Sequence, residues 1–212
     1  MNLRMLRGGA IAAFAAAFLL GWQFLIAIGI GDEIALLSKS VDPARMTSFF
    51  EIDARALTQL MTADDAFALA YAIAFIVLAL YLMPRAKLVS TLALVFAVLT
   101  ALIDLSENSL LLASVEQVAQ NLPLDAHALV VLFWLGQIKY LAIYLAAILF
   151  ALVLWEFGAA GKILAALLFL FVVIGVASIT VDVLRFVKVV WMELLLVVGG
   201  IFLVLEARKV QT

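Results

Sequence analysis

Between Gly9 and Ile30 the chain runs for 22 residues with Gln23 as its one strongly polar side chain, and five further apolar runs follow. A helix needs about 20 residues to cross a hydrocarbon core of about 30 Å, so runs of this length can span a bilayer. They are continuously apolar and lack the two-residue alternation of a membrane barrel strand. Helix is then the form that satisfies every backbone N–H and C=O within its own segment. The composition agrees: 68% of the 212 residues are hydrophobic and 13% charged, against about a quarter charged in a soluble domain. The expected fold is all-α, a polytopic bundle of about six transmembrane helices forming a single integral membrane domain. Its spans are expected near 9–30, 63–83, 88–107, 129–154, 162–181 and 185–206.

The first run is preceded by Arg4 and Arg7 and followed by Gly31-Asp32-Glu33, the flanks of a secretory signal as well as of a membrane helix. A signal's apolar core is about 7 to 15 residues. The longer run here is therefore read as a retained helix. Gly9, Ala13, Ala17 and Gly21 recur at four-residue intervals and form a row of small side chains against which another helix can pack closely.

Residues 32–65 form the one sizeable connection. Asp42-Pro43 reads as an N-cap followed by proline at the first helical position. Met46, Phe49, Phe50, Leu57, Leu60 and Met61 then share one side of a helix. An amphipathic interfacial helix over about 43–60 is expected between the first two spans, on the membrane surface or folded over the bundle. Thr62 followed by Asp65 resembles a capping box, which assigns Asp64 and Asp65 to the start of the second span. Between residues 162 and 206 two spans fit only with a very tight turn, and no glycine or proline marks it.

The candidate site lies in Leu102–Leu112. Asp104, Glu107 and Asn108 interrupt an apolar run at spacings of three and four residues, which set them along one helical stripe. Such a stripe facing lipid is costly, so a partner should face it. Two antiparallel helices joined by a turn centred on Leu122 bring together positions equally distant from it. At 1.5 Å of rise per residue, Asp104 comes level with Lys139 or Tyr140, Glu107 with Gln137, and Asn108 with Gly136. Glu193, two turns inside the last span, is a further candidate, and Gln23, Asp182 and Arg185 are secondary ones. Three carboxylates against one lysine leave negative charge in excess unless an acid is protonated, a state a proton relay would use.

One function this pattern supports is a polar cavity in the outer half of the membrane that binds or passes a small ion, proton or ligand. A second is structural: an ion pair and amide network that fixes helix register, in an accessory subunit with a membrane-protein partner or in a homo-oligomer. A third is a membrane enzyme acting on a lipid, with Asp104 and Glu107 as an acid–base pair. No nucleophile motif, zinc-binding His-Glu-x-x-His or phosphate loop accompanies that pair, so no catalytic residue is assigned. A single histidine, His127, and no cysteine give no basis for a metal or another cofactor. With a net charge of −2 and no basic tract, nucleic acid is not an expected partner; the lipid bilayer is. Trp22, Trp134, Trp155 and Trp191 fall toward span ends and read as interface anchors.

Asp65-x-Phe67 with Tyr71, then Asp104-x-x-Glu107-Asn108, then Lys139 resemble a group of uncharacterised small bacterial multi-pass membrane proteins with an Asp-x-x-Glu-Asn signature. The resemblance covers roughly residues 64–140 and implies a bacterial inner-membrane location without supplying an activity. Arg4, Arg7, Arg85, Lys87, Lys162, Arg208 and Lys209 fall on one side of a six-span topology, while Lys39, Arg45, Arg55, Arg185 and Lys188 fall on the other. The positive-inside rule then places both termini in the cytoplasm.

Overall fold

The computed structural model describes residues 2–31, 40–52, 54–181 and 183–210. Among them are seven helices and no strands: α1 (Leu3–Ile30), α2 (Pro43–Ile52), α3 (Ala54–Leu82), α4 (Lys87–Ala119), α5 (Ala126–Leu154), α6 (Ala159–Ala177) and α7 (Val183–Lys209). All except α2 are long and apolar enough to cross a membrane, so the architecture is that of a polytopic integral membrane protein.

The six long helices form a closed ring. Each packs on the next in chain order, and α7 returns to pack on α1. The small-residue row of α1 makes this closure possible. A Cβ at Gly9 would collide with Val77 of α3 and press on Leu203 of α7, and one at Gly200 would meet the ring of Phe14 at 2.8 Å. Bare backbone at these points lets α1 lie in the groove between α3 and α7.

The end of the ring that carries Leu3 and Lys209 is locked by mixed contacts. Glu206, only 5% exposed, accepts from the Tyr81 hydroxyl at 2.5 Å and pairs with Lys209 at 2.6 Å. Arg85 lies 4.0 Å over the ring of Phe157 in the α5–α6 turn, a cation–π contact.

At the opposite end α4 continues well past a bilayer's thickness, since 33 residues reach about 50 Å. There α2 folds over the bundle, burying Met46, Phe49 and Phe50 against Leu57, Leu111 and Leu129. Of the helix expected over 43–60, residues 43–52 form α2 and residues 54–60 are the start of α3, with Asp53 outside the described residues. Leu57, Leu60 and Met61 are buried in phase with Phe67, Ala68 and Tyr71, so the stripe runs on and the span starts early. Thr62 is consequently no cap. Its hydroxyl donates to the Thr58 carbonyl at 2.8 Å, inside the helix.

Two turns set the register near the site. α4 ends with Asn121 in the left-handed region at φ 57°, Leu122 N–H donating to Gln117 O and Asn121 N–H to Val118 O, the hydrogen-bond pattern of a Schellman stop. Asp125 then caps α5 by accepting from the His127 backbone N–H at 2.9 Å. The α6–α7 turn works without glycine or proline. Ser178 Oγ donates to Gly175 O at 2.7 Å, and Arg185 Nε reaches the Ser178 carbonyl at 3.4 Å, a cation at the negative end of α6.

Candidate functional site

On α4, Asp104 and Asn108 are buried and Glu107 is half-buried, all toward the neighbouring helices α3 and α5. Lys139 of α5 places its ammonium 2.7 Å from Asp104 Oδ1 and 2.5 Å from Glu107 Oε2. One lysine thereby binds two acids that α4 presents one turn apart. Gly136 leaves room beside them, since a Cβ there would be 3.6 Å from Glu107 Oε1.

α3 supplies the other half of the network. The Tyr71 hydroxyl donates to Asp104 Oδ2 at 2.7 Å, so the two oxygens of Asp104 are held from different helices. Asn108 Nδ2 donates at 2.9 Å to Asp64 Oδ2 and at 2.9 Å to Asp65 Oδ1. An amide nitrogen has two hydrogens, and both are used. The assignment of Asp64 and Asp65 to helix capping is therefore corrected: they lie in the third turn of α3 and face α4. The distance rule that pairs Asp104 with Lys139, applied to the turn between Leu82 and Lys87, brings Asp64 and Asp65 level with Leu105 and Asp104, within one helical turn of Asn108.

Inside the ring lies a cavity of about 290 Å³, to which all six long helices contribute side chains. Asp64, Asp104, Lys139, Tyr71 and Gln23 make part of its wall polar, whereas most of the rest is apolar, with Phe67, Phe75, Leu168, Phe171 and Met192 among it. Thr100 also lines it, but its hydroxyl is spent on the Phe96 carbonyl at 2.8 Å. Gln23 Nε2 is buried and has no hydrogen-bond partner among the described residues. A buried amide N–H without an acceptor is costly, which makes Gln23 a donor available to whatever enters.

Other candidates lie elsewhere. Gln137 is exposed and is absent from the described wall; Gly136 is the residue beside Glu107. A helix turns 100° per residue, so sharing a level with Glu107 does not put Gln137 on the facing side. Glu193 sits over Gly21 at the α1–α7 contact, where a Cβ on the glycine would be 3.4 Å from Glu193 Oε1, and it too is absent from the described wall. Arg185 serves the end of α6 as described. Asp182 lies outside the described residues. Trp22, Trp134 and Trp155 are exposed, but Trp191 turns inward and donates its indole N–H to Leu167 O at 3.0 Å. Sequence reasoning brought Tyr140 level with Asp104 and named Tyr71 in the resemblance without assigning either to the site, though both line the wall, and it gave no site role to Lys188, whose ammonium lies 3.8 Å over the Tyr140 ring. Tyrosine in an apolar run reads as ordinary packing until a neighbouring carboxylate or cation is located.

No family model, curated protein or solved structure matches the chain.

Proposed function

We propose that this chain is an integral protein of the bacterial inner membrane whose intramembrane cavity binds a small ligand or ion against Asp104 and Lys139. The observation that carries this reading is the meeting of an ion-paired, hydrogen-bonded cluster with unfilled space. A network serving only to fix register would be packed over; this one borders about 290 Å³ and leaves the Gln23 amide unpaired. Buried polar groups are normally satisfied, so the arrangement suits an occupant.

The orientation follows from charge. Arg4, Arg7, Arg85, Lys87, Lys162, Arg208 and Lys209 gather at one end of the ring, which favours that end as cytoplasmic. Asp104 is then about 26 Å along α4 from that side, and the site belongs to the outer half of the bilayer.

Gly199 offers a direct test. It lines the cavity, and a Cβ added to it meets nothing within 4 Å. Gly199→Leu should therefore fill space without displacing backbone and should keep the protein folded. Wild type purified from native membranes in mild detergent should carry a small molecule in native mass spectrometry, and Gly199→Leu should not. Wild type that carries a stoichiometric protein partner and no small molecule would favour the accessory-subunit reading instead.

A further inference from the structure

We infer that the cavity selects a small lipophilic cation, an organic ammonium of about ten heavy atoms, in preference to an anion or a neutral amphiphile. This rests on the ligand-binding reading above and names the ligand's chemical class.

Charge carries the argument. Four carboxylates, those of Asp64 and Asp65 on Asn108 and those of Asp104 and Glu107 on Lys139, lie in two adjoining clusters that hold a single ammonium, that of Lys139. Lys139 is held between Asp104 and Glu107, so it is already compensated and is poorly placed to attract an anion. Asp64 is the opposite case. It lines the cavity, and among the described residues it is bonded by the Asn108 amide and by no cation. Lys188, the next basic side chain, is committed to the face of Tyr140. A ligand that brings positive charge to Asp64 relieves the excess, whereas one that brings negative charge adds to it.

The shape of the wall excludes a bare ion as the best fit. The carboxylates fall into two pairs, each already closed on a protein nitrogen, Asp104 and Glu107 on Lys139 and Asp64 and Asp65 on Asn108, and among the described residues no three acids are placed to enclose a metal ion. Running along α3 from Asp64, the wall is aromatic, with Phe67 and Tyr71 packed edge to face at 5.0 Å and Phe75 next to Tyr71 at 5.8 Å. Aromatic faces attract a diffuse, weakly hydrated ammonium, and the apolar remainder accommodates its carbon substituents. The Gln23 amide can turn either an N–H or its oxygen toward the head. An apolar cavity of about 150 Å³ takes benzene, with its six heavy atoms, so one of about 290 Å³ accommodates on the order of ten.

The test uses three probes of matched size, hexyltrimethylammonium, octanol and octanoate, titrated calorimetrically into the full chain in zwitterionic nanodiscs. Empty discs and the Gly199→Leu protein serve as blanks. Hexyltrimethylammonium should bind at least about ten-fold more tightly than octanoate. Asp64→Asn, which keeps an oxygen to accept from Asn108, should weaken the cation about five-fold or more and leave octanol unchanged. Octanoate binding as tightly as the cation, or a cation affinity indifferent to Asp64→Asn, overturns the inference while leaving a ligand cavity in place. Should Asp64→Asn fail to fold, the comparison of the three probes on wild type decides alone. Heats no larger than those of Gly199→Leu for all three probes overturn the ligand-binding reading itself.

Discussion

Lys139 Nζ lies 2.7 Å from Asp104 Oδ1 across the α4–α5 contact, and the same nitrogen reaches Glu107. Removing the lysine strands one buried and one half-buried carboxylate; removing one carboxylate leaves the lysine its other partner. Breaking a buried pair commonly costs about 3 to 5 kcal/mol. Lys139→Met should therefore lower the thermal unfolding temperature in detergent more than Asp104→Asn or Glu107→Gln. Combining Lys139→Met with Asp104→Asn should recover part of the loss, and the double-mutant cycle measures the coupling. Additive effects would mean that the two side chains do not interact.

Asn108 joins α4 to two acids of α3 through one nitrogen. Asn108→Asp replaces the donor by a third carboxylate of similar size, so repulsion adds to the lost hydrogen bonds. Asn108→Ala only loses the bonds, each worth about 1.5 to 3 kcal/mol where the partner is charged. The aspartate variant should be the less stable of the two by thermal unfolding at neutral pH, and acidification should narrow the gap as carboxylates protonate. Equal stability at neutral pH would show that Asp64 and Asp65 do not face position 108.

Phe50 is 1% exposed in the cluster that α2 makes with the projecting ends of α3, α4 and α5. Phe50→Ala should cost about 3 to 5 kcal/mol, as large-to-small core changes do. Because α2 packs only on the ends of the long helices and gives no residue to the described cavity wall, the loss should be local: faster proteolysis near residues 40–55, with ligand binding in the cavity retained.

Gly175 faces the Tyr144 hydroxyl so closely that a Cβ would overlap it. Gly175→Ala should destabilise the α5–α6 contact by about 1 to 3 kcal/mol, the usual cost of overpacking, and Tyr144→Leu should relieve it. An alanine variant as stable as wild type would mean that α5 and α6 are further apart than described.

The helices were legible because membrane spans announce themselves by length, and the Asp104–Lys139 pairing because a short turn fixes which residues come level. Asp64 and Asp65 were misread for a local reason. Thr62 to Asp65 has the spacing of a cap, and only the burial of Leu57, Leu60 and Met61 in phase with Tyr71 reveals that the helix began earlier. Gln137 and Glu193 lie off the described cavity wall because depth in a span says nothing about azimuth. The cavity itself left no trace in the pattern: its wall draws on six helices, and an apolar residue facing empty space looks the same as one facing a neighbour.

The contact of α1 with α7 has a temporal side. The helix synthesised first among the six waits for the one synthesised last, holding Gly9 and Gly21 toward a partner that has yet to leave the ribosome. Until then Asp64, Asp104 and Lys139 border an open crescent rather than a chamber, and lipid can occupy the place of α7. Val189, Met192, Leu195, Leu196, Gly199 and Leu203 of that last helix complete the wall, so the cavity is whole only once α7 lies against α1.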